Sequence, residues 1–322
     1  MRILVTGGFG FIGSEFSSLA HKSGHHLTII DKMTYAADTE NLSPELKSKA
    51  CISNLDISDS KTLTEFLSAQ ESFDYIVNFA AESHVDRSIK NGVVFVNSNV
   101  LGTVNLLEYL KNHPETKMLQ VSTDEVYGSI DQGSWNEDFP LSPRSPYSSS
   151  KASAELFCLS YQTTHNVKVV ITRCANNFGP RQSAEKLIPT IISSVLDGRK
   201  IPIYGDGHNR REWIYVADHA AALLRIVEGN PKHVVYNIGG TEMTNLELAA
   251  QLVQILGVPQ SEIVHVTDRL GHDKRYSVNH SRFVLEFGKI QNDEIASSLI
   301  NTVDWYKSNL EWLHRSQSRL SV

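Results

Sequence analysis

Along its first half the chain repeats one rhythm: a short apolar run, a polar or glycine-rich break, then a segment with helical spacing. The runs fall at 2–6, 26–30, 51–55, 74–81, 118–121 and 167–172. Most are unbroken rather than alternating, the pattern of strands covered on both faces. Between them the spacing predicts helices after Gly13, at about 61–69, at 97–112 and at 147–165. In the third of these Val100, Val104, Leu107 and Leu110 lie on or near one stripe, and in the last Pro146 suits a first turn. Regular alternation of strand and helix predicts an α/β architecture built on a doubly wound parallel sheet.

After Arg173 the rhythm changes. Turn chemistry at 176–180 is followed by a helix starting near Glu185–Pro189 and carrying Ile191, Ile192 and Val195. A short strand and turn at 201–207 come next, and 210–219 leads back to a helix of alanines and leucines. Another strand at 236–238 precedes Thr244 and Glu247, spaced as a capping box. A donor-rich polar cluster spans 267–276, and the tail 294–313 reads as helix with Trp305 and Trp312 packing. The division predicted is a nucleotide-binding domain at 1–173, joined by about 208–237, interleaved with a smaller mixed α/β substrate domain at 174–207 and 238–322.

The first break has its own chemistry. Gly7, Gly10 and Gly13 stand three apart directly after a strand and before a helix. That context makes them a dinucleotide signature of the Rossmann type: a tight turn, close backbone approach to a pyrophosphate, and a helix N-terminus facing it. Asp31 ends the second strand eighteen residues beyond Gly13, where an acid binds the adenosine ribose. It favours NAD over NADP, with Lys32 beside it as the opposing feature. Asp56 ends the third strand, in the stretch 54–57 where such folds touch adenine. Ala80 and Ala81 are small enough for the dinucleotide to lie against the backbone. His84, in the polar loop that follows, reads equally as a sugar ligand and as a loop histidine.

The fifth run breaks into Thr123-Asp124-Glu125, a hydroxyl and two acids at the edge where open α/β sheets hold ligands. Tyr147 and Lys151 are four apart on a predicted helix and so share a face. A cation beside a phenol lowers its pKa and makes a usable base.

Composition narrows the picture. The chain has 322 residues, enough for about two domains, with ordinary apolar (41%) and charged (20%) shares. A net charge of -6 argues against general nucleic-acid binding, which needs a basic face. Cys51, Cys158 and Cys174 read as reduced core residues of a cytoplasmic protein, and no pair has metal-ligand spacing. The N-terminus reads as a strand rather than a signal peptide, and no apolar run suggests a membrane span. The helices at 97–112 and 147–165 are candidates for a homodimer interface, a buried intramolecular face being equally compatible.

The assembled residues resemble the extended short-chain dehydrogenase/reductase superfamily, through Gly7-x-x-Gly10-x-x-Gly13 and Tyr147-x-x-x-Lys151. Within it they are similar to the dTDP-glucose 4,6-dehydratases, which share the motifs at 80–88, 123–128, 185–189, 204–207 and 268–276. The resemblance runs to about Tyr276. Departures are Phe178, Arg181 and Ala37, where the family has Tyr, Tyr and Gly. The resemblance implies a dTDP-glucose substrate oxidised at C4, dehydrated across C5 and C6 and reduced at C6, with NAD retained. It gives Tyr147 the C4 hydroxyl proton with Lys151 in support, Thr123 the oxygen, Glu125 the C5 proton, and a protonated Asp124 the departing C6 hydroxyl. The two acids then need separated pKa values.

By position it adds Phe11, Ile12, Thr34, Ile57, Ser83 and Asn99 to the cofactor set of Gly7, Gly10, Gly13, Asp31, Lys32, Asp56, Ala80, Ala81, Tyr147 and Lys151. It assigns Asn176 or Asn177, Arg211, Asn245, Arg269 and His272 to the nucleotide diphosphate. Lys186, Leu187, Pro202 and Tyr204 form the wall around the base. A UDP-sugar dehydratase is the nearest alternative. A 4-epimerase shares the cofactor site but needs no acid–base pair for water loss, and a decarboxylase needs a basic group absent from the central motif. A non-catalytic NAD sensor has no need of Asp124, Glu125, Tyr147 and Lys151 together.

Overall fold

A computed structural model describes residues 1–268, 273–290 and 294–321. Its strands in chain order are β1 (Arg2–Thr6), β2 (His26–Asp31), β3 (Cys51–Asn54), β4 (Tyr75–Asn78), β5 (Lys117–Thr123) and β6 (Lys168–Cys174). They are followed by β7 (Asn176–Phe178), β8 (Ile201–Tyr204), β9 (Arg210–Tyr215), β10 (Val235–Ile238), β11 (Thr241–Thr244) and β12 (Ile263–Val266). Seven form one parallel sheet in the order β10-β6-β5-β4-β1-β2-β3. The chain reverses its direction of travel between β4 and β1, which opens the ligand crevice at their carboxyl ends.

Successive side chains of β1 point to opposite faces, and the core follows that alternation. Ile3 and Val5 pack with Phe16, Ile29, Val77 and Leu119, whereas Leu4 packs with Ile30, Ile76, Leu106 and Met118. Both faces are thus covered, which is why the strands read as unbroken apolar runs. A third core, with Phe178, Ile188, Ile192, Trp213, Tyr306 and Trp312, lies under the smaller lobe.

Several expectations shift. The joining segment about 208–237 divides: β9 pairs with β7 and β11 in a separate three-stranded sheet, while the helix Val216–Glu228 packs on Phe11–Lys22 and β10 extends the large sheet. The helix predicted at 97–112 begins earlier and runs Gly92–Lys111, with a π-helical stretch over Val96–Leu101. Contrary to the sequence expectation, this helix is long and apolar enough to cross a bilayer; 44% of its most apolar window is buried in the protein. The tail forms two helices, Ile295–Ser308 and Leu310–Ser318, meeting at Asn309. Cys158 and Cys174 are buried, but Cys51 is exposed, because β3 is the outer strand of the sheet.

Candidate active site

Thr123 is the last residue of β5, and its Oγ1 accepts the backbone N–H of Glu125 at 3.2 Å, capping a single 3₁₀ turn over Asp124–Tyr127. The hydroxyl donates to Asp124 Oδ1 at 3.2 Å. Asp124 is buried while Glu125 reaches the cavity surface. Burial pushes the Asp124 carboxyl well above the usual range; the charges of Glu125 and Glu212 add to it, and Arg211 and the Thr123 bond only partly offset them. Burial thus favours the neutral form of Asp124 over that of its neighbour, the direction of separation that two adjacent carboxyls with opposite duties would need.

Opposite that turn begins the helix Pro146–His165. Ser145 and Ser148 form its capping box and Pro146 sits in its first turn, so Tyr147 enters the site one turn ahead of Lys151. Lys151 is buried, and its Nζ donates to the Val121 carbonyl at 2.7 Å. Burial lowers its pKa, against the raising effect of Cys174 and Glu155. The expectation that Lys151 depresses the Tyr147 pKa does not hold for the protein chain by itself. Burial raises the phenol well above its ordinary value, Glu125, Cys174 and Asp124 push the same way, and a hydrogen bond with Thr123 opposes them. The ammonium is directed at a backbone carbonyl, and the charges that dominate at the phenol are negative.

Three connected cavities meet here. One of about 260 Å³ runs from Gly7, Gly10, Phe11, Ile12 and Gly13 past Ala81 and Ser83 to Thr123, Asp124, Glu125, Tyr147 and Lys151. A side cavity of about 80 Å³ is lined by Asp31, Lys32, Thr34, Asp56, Ile57 and Ala80. Together they form a groove fit for a dinucleotide. A Cβ on Gly13 would stand 2.3 Å from the Gly7 carbonyl oxygen, and one on Gly7, at φ +69°, would stand 2.7 Å from the Ala80 nitrogen. The turn is therefore closed to larger residues. Asp31 accepts the N–H groups of Phe9 (3.0 Å) and Met33 (2.9 Å), which fix its carboxylate at the groove. Lys32 is 3.4 Å from Asp56 and 4.0 Å from Glu82, so its charge is neutralised within the protein. That favours ribose hydroxyls over a 2′-phosphate. Asn99 departs from expectation: it lines none of these cavities, and its amide bonds the backbone of Glu82 and the hydroxyl of Ser150.

The third cavity, about 490 Å³, shares Glu125 and Lys186 with the first and extends to His84, Leu187, Pro202, Tyr204, Arg211 and Asn245. Both Asn176 and Asn177 border it, but they differ. Asn177 Oδ1 is 2.8 Å from His219 Nδ1, and its Nδ2 donates to the Ala175 carbonyl at 3.0 Å. The Asn176 amide has no hydrogen-bond partner among the described residues, so it is the one able to meet a ligand. The Arg211 guanidinium lies over the Tyr276 ring at 4.3 Å and donates to the Asp273 carbonyl at 2.8 Å, which sets its orientation. His84 caps the helix Val85–Lys90 through Nδ1 and stands 3.4 Å from Glu185 through Nε2. Arg269 and His272 lie outside the described residues.

Other residues also line these cavities: Glu185, and, without a sequence signal that would single them out, Cys174, Gln182 and Arg144. Glu185 was visible within its motif; Arg144 arrives only because the loop after β5 folds back, setting it 2.8 Å from Asp273.

A parallel sheet with a glycine turn at its reversal point, a Tyr-x-x-x-Lys helix beside it and a second lobe over the crevice defines a dinucleotide-dependent enzyme of the short-chain dehydrogenase/reductase class. The chain matches the family described as GDP-mannose 4,6 dehydratase over residues 4–317. It is 44% identical to a dTDP-glucose 4,6-dehydratase of Streptomyces niveus, covering 97% of this chain and 94% of the relative. The chain belongs to the dTDP-glucose 4,6-dehydratase family. Among solved structures, a dTDP-glucose 4,6-dehydratase double mutant from Streptomyces venezuelae, with NAD bound, superposes with a TM-score of 0.93 at 42% identity, covering 98% of this chain and all (100%) of that one. A UDP-glucose 4-epimerase from Thermotoga maritima has a TM-score of 0.90 at 26% identity, covering 96% and 100%. The backbone is thus common to both reactions, and the side chains must distinguish them.

Proposed function

We propose that this chain is an NAD-dependent hydro-lyase that converts dTDP-glucose to dTDP-4-keto-6-deoxyglucose and water. One observation carries the reading: Asp124, buried where its carboxyl is pushed well above the usual range, sits next to Glu125 where the dinucleotide groove opens into the larger cavity. An epimerase has no use for that pair. When bound, NAD supplies the oxidant for C4 and the reductant for C6 within one turnover.

Tyr147 takes the C4 hydroxyl proton as the phenolate, the form that the Lys151 cation on the same helix face favours against burial, and the Thr123 hydroxyl holds the oxygen. The ketone acidifies C5, Glu125 removes that proton, and Asp124 gives its own to the C6 hydroxyl, which leaves as water. Glu125 later returns its proton to C5. The proton held by Tyr147 balances the one given up by Asp124. Arg211, Asn176 and Asn245 bind the diphosphate, an arginine fork pairing with phosphate oxygens. Arg269 and His272 belong to the same role by motif. Lys186, Leu187, Pro202 and Tyr204 wall the base, and His84 borders the sugar. Three free thiols agree with a cytoplasmic enzyme. A second copy of the chain is the partner expected on the helices 92–111 and 146–165, and nucleic acid and membrane are not.

Mass spectrometry of the purified enzyme with dTDP-glucose, and separately with UDP-glucose, tests this without added reductant. The expected product has lost one water, from the dTDP sugar, with no net NADH. Glu125→Gln is expected to slow water loss at least ~100-fold while NADH accumulates on the enzyme. An isomer of unchanged mass would make the chain an epimerase, and full water loss in Glu125→Gln would remove Glu125 from its role.

A further inference from the structure

The segment 33–41, between β2 and the rest of the first lobe, borders the groove through Thr34, Ala36 and Ala37. It is not an ordinary surface loop. Met33 holds a left-handed backbone at φ +55°, a conformation that a side-chain-bearing residue keeps only when the surroundings impose it. Its N–H is held by Asp31 of the same lobe, and the rest of the segment is fastened from the other lobe at both ends.

At one end Tyr35 donates to Glu185 Oε1 at 3.3 Å, with the Arg87 guanidinium stacked over its ring at 3.8 Å. Glu185 belongs to a strap that also carries Arg181, itself at φ +69° and paired with Glu15 on the helix following the glycine turn. At the other end the C-terminal residues close on the same segment. Arg319 Nη2 stands 3.1 Å from the buried carboxylate of Asp38 and its Nη1 donates to the Ala37 carbonyl at 2.7 Å. Trp312 Nε1 donates to Asn41 Oδ1 at 2.9 Å, and Asn41 in turn donates to the Phe9 carbonyl of the glycine turn at 2.8 Å.

We propose that Tyr35 and Arg319 are cofactor-retaining positioning residues: through them the smaller lobe fastens the segment 33–41 beside the dinucleotide groove and sets the rate at which the dinucleotide leaves. Neither residue lines the cavities that hold the reacting groups, so their removal acts on release and not on chemistry. The inference rests on the reading of the groove as the NAD site. It gives the internal redox cycle a physical support, because a cofactor regenerated in every turnover gains nothing by leaving.

The test uses the full-length enzyme loaded with labelled NAD and chased with excess unlabelled NAD. Tyr35→Phe keeps the ring under Arg87 and removes only the hydrogen bond; Arg319→Ala removes the second fastening, and Arg319→Lys restores the charge. Each of the first two is expected to release NAD roughly tenfold faster, the range of coupling that one partly buried polar fastening supports. The double variant is expected to release it faster still, and Arg319→Lys to recover part of the retention. At saturating NAD, kcat should stay within about twofold of the parent, a split between release and chemistry that general loss of structure would not produce. Unchanged release in both single variants overturns the proposal. If Arg319→Ala does not fold, Tyr35→Phe decides alone. A parent enzyme that binds no NAD refutes the underlying cofactor reading instead.

Discussion

Asp124 and Glu125 are consecutive residues with the same functional group in different surroundings. Asp124 turns into the protein beneath Thr123, where ionisation is penalised, whereas Glu125 opens onto both cavities. Behind them His219 shows the same physics with the opposite sign. It is fully buried beside Asn177, and burial alone lowers its pKa from 6.5 to about 3. The imidazole is therefore neutral in the folded chain. Between about pH 6.5 and 3 the unfolded chain binds a proton that the folded one does not, so stability falls as pH falls through that window. At about 1.4 kcal/mol per pH unit, wild type should lose up to about 2 kcal/mol more between pH 7.5 and 5 than His219→Gln does. Urea unfolding at the two pH values checks this; equal losses in both proteins would show that His219 is not the titrating group. His219 is near-silent in sequence, one histidine in an alanine-rich helix. Its partner Asn177 is supplied by another strand.

At the scale of elements, the glycine turn carries the sharpest expectation. The Gly13 hydrogen faces the Gly7 carbonyl, a backbone atom that cannot swing aside, so Gly13→Ala forces the turn open. Overpacking of this kind costs about 1–3 kcal/mol, and here the loss should appear as at least tenfold weaker NAD binding. A fluorescence titration with NAD, alongside thermal melting, measures both. Parent affinity in the variant would mean that the turn relaxes freely. This element was legible because its signal is local: spacing, a strand before and a helix after. The start of the helix Pro146–His165 and the capping box at Thr244 were legible for the same reason. Strand β9 was not. Arg210–Tyr215 has no strong pattern, and its identity as a strand comes from its pairing with β7 and β11.

At the scale of the whole molecule, the pair of helices 92–111 and 146–165 exposes a group of apolar side chains. Val93, Val96, Leu156 and Phe157 are all exposed there. A two-fold axis beside this pair would lay the same face of a second copy against it, the self-complementary geometry of most dimers. Light scattering should give twice the chain mass for the parent and one chain mass for Leu156→Glu combined with Phe157→Glu. A monomeric parent would leave that face without this partner.

The sequence by itself determined the parallel sheet, the dinucleotide turn and the placing of Thr123, Asp124 and Glu125 at a strand end and of Tyr147 and Lys151 on one helix face, because each rests on neighbours within a few residues. It also carried the family motifs that select the substrate class. Only the tertiary structure decided the burial of Asp124, the orientation of Lys151 toward a backbone carbonyl, the engagement of Asn177 with His219, and the withdrawal of Asn99 from the groove. Each of these depends on burial and on partners tens to hundreds of residues away, and those are set by packing rather than by local spacing.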